Sequence, residues 1–219
     1  MWKEASLLGY RAGVRPLLFA LSVLGFIAIG WCSPKPEAAA TNEDDAQSVV
    51  MKLYKQIVLR KPLGIGSEAD RQAIRPFLSQ SLIARFNDAE GCQRDYFRQY
   101  PDPSLKPEFA WLEMGLFSGG NEEGTPSDAI VQRTKIQKDG SYRVYVQLTY
   151  RESFDTYRRT AVPGSTFKWT VVASVIRDKG RFAVDDILYF NEDTKRIESR
   201  LSQVLSLGCE NGNWVGDKR

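Results

Sequence analysis

Histidine is absent from all 219 residues, cysteine occurs only three times, and neither sign of charge dominates, with 30 Lys and Arg against 27 Asp and Glu. The first absence excludes Ser-His-Asp and Cys-His catalysis, His-ligated zinc and the commonest proton shuttle near neutral pH. The weak basic excess lies partly in the first forty residues, where Lys3, Arg11, Arg15 and Lys35 face only Glu4 and Glu37. The remainder of the chain is close to neutral and lacks the concentrated basic stripe that a nucleic-acid binder needs to displace counterions. No C-x-x-C pair, internal repeat or second domain is legible, and no cofactor is implied. The oligomeric state stays open.

One long apolar run is present, "PLLFALSVLGFIAIGWC" from Pro16 to Cys32, with basic residues before it and the acidic "SPKPEAAATNEDD" after it. That charge order sends the rest of the chain out of the cytoplasm, so residues 1–40 are expected to be an export signal or membrane anchor. Three fates are open. Ala38 and Ala40 supply the small residues of a cleavage site ending at Ala40. The run, slightly short for a full span of about 20 residues, could be retained as an anchor with Trp31 at the interface. Cys32 is the lipidation candidate, although bulky Trp31 stands where a lipobox has a small residue.

Cys92 and Cys209 then remain, each directly after a glycine. In an exported protein such a pair reads as a disulfide, and the alternative of a redox or metal pair lacks both a C-x-x-C spacing and any histidine.

Residues 41–219 read as one domain, with a core of about 46–209 and a loose tail, 210–219. In "DAQSVVMKLYKQIVLRK", Ala46, Val49, Val50, Leu53, Tyr54 and Ile57 recur at helical spacing. Ser67 and Asp70 form a capping-box pattern, and Pro76 ends that turn before Ser79 opens another helix through Leu82, Ile83 and Phe86. Tyr96, Phe97 and Tyr100 are expected to pack against the sheet. "EFAWLEMGLFSG" reads as an edge strand, followed by the Gly-rich loop "GGNEEGTPSD", a potential binding rim. Glu122, Glu123 and Asp128 would repel a phosphate there, and the alternating acids of a calcium loop are missing. Four alternating segments come next, joined at Asp139-Gly140 and around Lys179-Gly180 by hairpin signals. Tyr142, Val144, Val146, Leu148 and Tyr150 share one face with Phe167, Trp169, Val171, Ala173 and Val175. The opposite face is mixed, with Arg143, Tyr145, Gln147 and Thr149 beside Lys168, Thr170, Val172 and Ser174. "DTKRIESRLSQVLSLGC" places Ile197, Leu201, Val204 and Leu205 on a final helix. The expected class is α+β: N-terminal helices on a curved antiparallel sheet of four to five strands, plus a C-terminal helix.

The order of helices and sheet, closed by "FKWTVVASVIRDKGRFAVDDILYF", resembles the nuclear transport factor two-like (cystatin-like) superfamily. With "AQSVVMKLYKQIVLR" and "IRPFLSQSLIARF", it looks like a family of small bacterial envelope proteins of unknown function, many of them exported lipoproteins. The resemblance covers roughly residues 46–207. It implies a domain facing the periplasm, free or membrane-anchored, but no single activity, because the superfamily holds isomerases, dehydratases and non-catalytic binding domains.

"GRFAVDDILYF" carries the one acid that invites a catalytic reading. Read as a regular strand, it points Asp186 the same way as Phe182, Val184, Leu188 and Phe190, so Asp186 is the weak catalytic candidate, with Tyr142, Tyr150 or Trp169 shaping a pocket. Its structural alternative is a buried acid satisfied by hydrogen bonds. The leading functional expectation is a non-enzymatic envelope protein that binds a secretion, efflux or cell-wall component. An immunity protein against a periplasm-delivered toxin and a ligand-binding or isomerase-type enzyme are the alternatives.

Overall fold

Helix α1 (Asn42–Arg60) starts where Thr41 and Asp44 close a capping box, and its first turn is acidic through Glu43, Asp44 and Asp45, which suits the positive end of the helix dipole. It buries the six residues that its sequence spacing singles out, Ala46 to Ile57. Helix α2 (Glu68–Ile74) repeats the capping box with Ser67 and Asp70, and a 3-10 turn, Arg75–Phe77, forms at Pro76. Ser79 then caps α3 (Gln80–Gln99) by accepting the Leu82 amide proton. In this computed structural model the described residues are 41–102, 109, 111–119, 125–151 and 166–216.

Five strands come after the helices: β1 (Asp128–Ile136), β2 (Tyr142–Arg151), β3 (Thr166–Asp178), β4 (Arg181–Asn191) and β5 (Arg196–Arg200). They form one sheet in sequence order, antiparallel at every pairing. Lys179 and Gly180 both take positive φ, the backbone that a two-residue hairpin needs to match strand twist. Helix α4 (Leu201–Ser206) and a small hairpin of β6 (Cys209–Glu210) and β7 (Asn213–Trp214) end the described chain. The α+β class is as expected, with five strands in the sheet.

One face of the sheet is the apolar wall. Tyr142, Val144, Val146, Leu148, Val171, Ala173, Val175, Val184 and Ile187 join residues of α1, α3 and α4 in a single core.

Four local expectations need correction. Residues 111–119 are turns, not an edge strand, and the cause is in their bonding. The carbonyls of Leu116, Phe117 and Ser118 accept side-chain donors rather than strand amides: Tyr189 Oη at 2.8 Å, Tyr54 Oη at 2.8 Å and Trp169 Nε1 at 2.7 Å. Trp111, Leu116 and Phe117 are all buried, with no alternation to support a strand. Burial pushes the Tyr54 and Tyr189 hydroxyls well above the ordinary phenol pKa, so both stay protonated donors. Gly119 closes this segment at φ +68°, where a Cβ would stand 2.9 Å from Tyr189 Cδ1.

Second, β4 is not the last strand. Ile197 lies on β5, paired with Phe190, and the helix begins only at Leu201. Third, the tail is docked rather than loose as far as Val215, whose amide donates to the Gly208 carbonyl at 3.0 Å. The Trp214 amide donates to Asp95 Oδ2 at 3.0 Å, and its ring meets Tyr96 and Phe109 edge-on. Fourth, Tyr96 therefore packs into an aromatic cluster with the tail, while Phe97 and Tyr100 remain exposed. The Cys92–Cys209 disulfide is formed and ties α3 to this hairpin. Cys32, Ala40 and loop residues 120–124 lie outside the described residues.

Candidate functional site

Asp186 does not share a face with Val184. The β3–β4 register passes from Ser174 opposite Asp186 to Val175 opposite Val184, so Asp185 is an extra, bulged residue. A bulge shifts the two-residue alternation by one, and core membership accordingly passes from Val184 to Ile187, three positions on. Tyr142 and Trp169, and Tyr150 by strand parity, belong to the helix side, whereas Asp186 is paired with Ser174 of opposite parity. The expected pocket around Asp186 is therefore not assembled.

Both acids hold helices instead. Asp185 Oδ1 accepts the Ser79 hydroxyl at 2.6 Å, and the Ser79 amide donates to the Val184 carbonyl at 2.9 Å, which anchors the start of α3. Asp186 Oδ1 accepts the amides of Ile187 and Ser202, each at 3.0 Å, and its Oδ2 accepts the Ser202 hydroxyl at 2.7 Å. Arg200, at the N-cap of α4, provides no side-chain cap, so Asp186 supplies that acceptor from across the fold.

The other side of the sheet is covered in part, with Thr149, Val172 and Leu188 buried on it, and open in part. A groove of ≈ 650 Å³ crosses it from β1 to the β4–β5 turn, within the range of ligand sites. Tyr145, Gln147, Thr170 and Phe190 are half-buried along it, and exposed Gln132, Arg133, Lys135, Glu192 and Lys195 rim it. The Arg133 guanidinium lies 4.1 Å from the centroid of the Tyr145 ring, and Lys135 Nζ lies 5.7 Å from it. Phe190 meets Tyr145 edge-on at 6.2 Å. A guanidinium at this distance is attracted by the ring face through its charge. Glu192 is held below the usual carboxylate range, first by the Thr170 hydroxyl, with Lys195 at 3.2 Å and the charge of Arg133 adding to the effect. Three cations against one carboxylate leave the groove basic.

Sequence alternation identified Tyr145, Gln147 and Thr170 as part of a mixed face, but missed Arg133, Lys135, Phe190, Glu192 and Lys195. A bulge at Gln132, between Val131 opposite Val146 and Arg133 opposite Tyr145, brings Arg133 onto the ring. No periodic signal locates that extra residue.

A second hollow of ≈ 350 Å³ lies between the α1–α2 connection and α3, near Trp111 and Phe97. Its charges are mutually engaged, with Glu90 accepting Arg94 at 2.7 Å and lying 3.4 Å from Arg71. Among the described residues no group of three or more His, Cys, Asp or Glu is placed to hold a metal ion. No helix among them is long and apolar enough to cross a membrane. Comparison with known proteins returns no matching family, no similar curated protein and no matching solved structure.

Proposed function

We propose that this chain is an exported envelope protein of the cystatin-like kind, whose domain binds another envelope component through the open face of its sheet and performs no catalysis. The groove carries the reading. It combines two aromatic rings, two glutamine amides and an excess of cations on a face not used by the helical core. The charge order of the first forty residues supports export, and the Cys92–Cys209 disulfide is compatible with an oxidising compartment. The noncatalytic reading draws on Asp185 and Asp186, both of which are engaged in holding helix starts.

The test is photo-crosslinking in cells that express the full chain with its leader. A photoreactive residue at Gln147 is expected to trap one reproducible partner in the membrane or periplasmic fraction, whereas the same probe at Lys52, exposed on α1, traps none. Equal trapping at both positions, or none at Gln147, overturns the assignment of this face.

A further inference from the structure

Strand β1 is an end strand of the sheet and, among the described strands, has β2 as its one neighbour. An end strand presents a row of main-chain donors and acceptors that only another polypeptide strand can match. The side chains facing the groove side of β1 are set by its register with β2. Asp128 lies opposite Thr149, Ile130 opposite Gln147, Arg133 opposite Tyr145 and Lys135 opposite Arg143. Ile130 is 50% exposed, and Ile136 at the strand end is 63% exposed. The edge thus presents an apolar residue and then two cations, backed by a third cation on β2.

We propose that β1 takes up an extended acidic segment of a partner polypeptide as an added antiparallel strand. Its main chain continues the sheet, and its carboxylates meet Arg133 and Lys135 at the mouth of the groove. This rests on the reading of the open face as the binding face, and it names the chemistry recognised there. An antiparallel partner would carry, in order, an acid opposite Lys135, an acid opposite Arg133 and an apolar residue opposite Ile130.

Charge selects this occupant over the alternatives. The bulge at Gln132 and the lysine of β1 are devices that discourage indiscriminate edge pairing, so a partner must bring opposite charge to be accepted. A second copy paired about Thr134 would set Arg133 and Lys135 against the same two cations. An acidic glycan could meet the cations but not the strand's main chain.

The probe is the fluorescein-labelled peptide Thr-Glu-Thr-Glu-Thr-Val-Thr-Val-Thr, titrated by anisotropy into the folded, oxidised protein. A twin with Lys in place of both Glu, and an N-methylated form blocked at the amides facing the edge, are its controls. The Glu peptide is expected to bind at least about 10-fold tighter than the Lys twin, and the gap should narrow at about 0.5 M salt. Blocking alternate amides should weaken it by about 10-fold or more, because the added ladder is lost. Arg133→Glu with Lys135→Glu should reverse the preference and keep the melting temperature within about 4 °C of the parent, since both side chains are exposed and only the contact of Arg133 with the Tyr145 ring is lost.

Equal binding of the N-methylated peptide, equal binding of the Lys twin, or displacement by an equimolar oligogalacturonate would each overturn strand addition. So would a dimer that sediments as such and is lost in the double variant. If Gln147 still traps a partner while the peptide fails, the binding face stands and this mode of recognition falls. If both fail, both readings fall.

Discussion

Replacing Asp186 separates its structural role from a chemical one. The carboxylate is 7% exposed and accepts from two main-chain amides and one hydroxyl. In Asp186→Ala all three hydrogen bonds vanish. Two amides, those of Ile187 and Ser202, lose their partner where water has little access, while the Ser202 hydroxyl can turn away. At about 1 to 3 kcal/mol for each stranded buried group, with Ser202 at the lower end, the loss should be about 3 kcal/mol. For a domain of this size that lowers the melting temperature by roughly 6 to 12 °C. Asp186→Asn is milder: its carbonyl oxygen keeps both amides and its NH2 can donate to Ser202 Oγ. Only the strengthening by charge is lost, about 1 kcal/mol. Urea unfolding of the oxidised protein, followed by circular dichroism, should show the midpoint falling in the order Asp, Asn, Ala at constant m-value. A cycle with Ser202→Ala should return a coupling of about 1 to 2 kcal/mol. If the Ala variant lies within about 0.5 kcal/mol of the parent, or is more stable than Asn, the capping argument is wrong.

Three further outcomes rest on the same reasoning. The disulfide closes a separation of 117 residues, so Cys92→Ala with Cys209→Ala should cost up to about 5 kcal/mol by loss of chain-entropy restraint; an unchanged melting temperature would contradict this. The Asp95 carboxyl is held below its ordinary value, first by the Trp214 amide, then by Gln99 and Arg98. A depressed folded-state value means that this stabilisation is present above the unfolded value of about 4 and is lost as the pH falls through the folded one. Acid should therefore release the tail below about pH 4, seen as a change in Trp214 emission that Asp95→Asn abolishes. Thr134 on β1 buries a hydroxyl with no hydrogen-bond partner. Thr134→Val should stabilise the fold by up to about 1 kcal/mol, and destabilisation measured by urea unfolding would show that the hydroxyl is satisfied in solution.

The helical elements were legible because their signals are local. The Thr41 and Ser67 capping patterns and the α1 stripe depend on residues three or four apart, and the fold uses them as written. The strand faces of β2 and β3 were legible for the same reason, since a regular strand places every second side chain on one side. Composition alone also removed histidine chemistry and reduced the cysteines of the domain to one pair.

Tertiary structure decided the rest. The bulges at Gln132 and Asp185 depend on the partner strand, and each moves every following side chain to the other face. One brought Arg133 onto Tyr145, and the other took Asp186 away from Val184. Residues 116–118 abandoned the strand their composition suggested because Tyr54, Trp169 and Tyr189, distant in sequence, claimed their carbonyls. Local sequence determines which side chains can share a face, but hydrogen bonds made across the fold determine which of them meet. That is why "DD" in β4 looked like chemistry in one dimension and is, in three, the pair of acids that fixes the starts of α3 and α4.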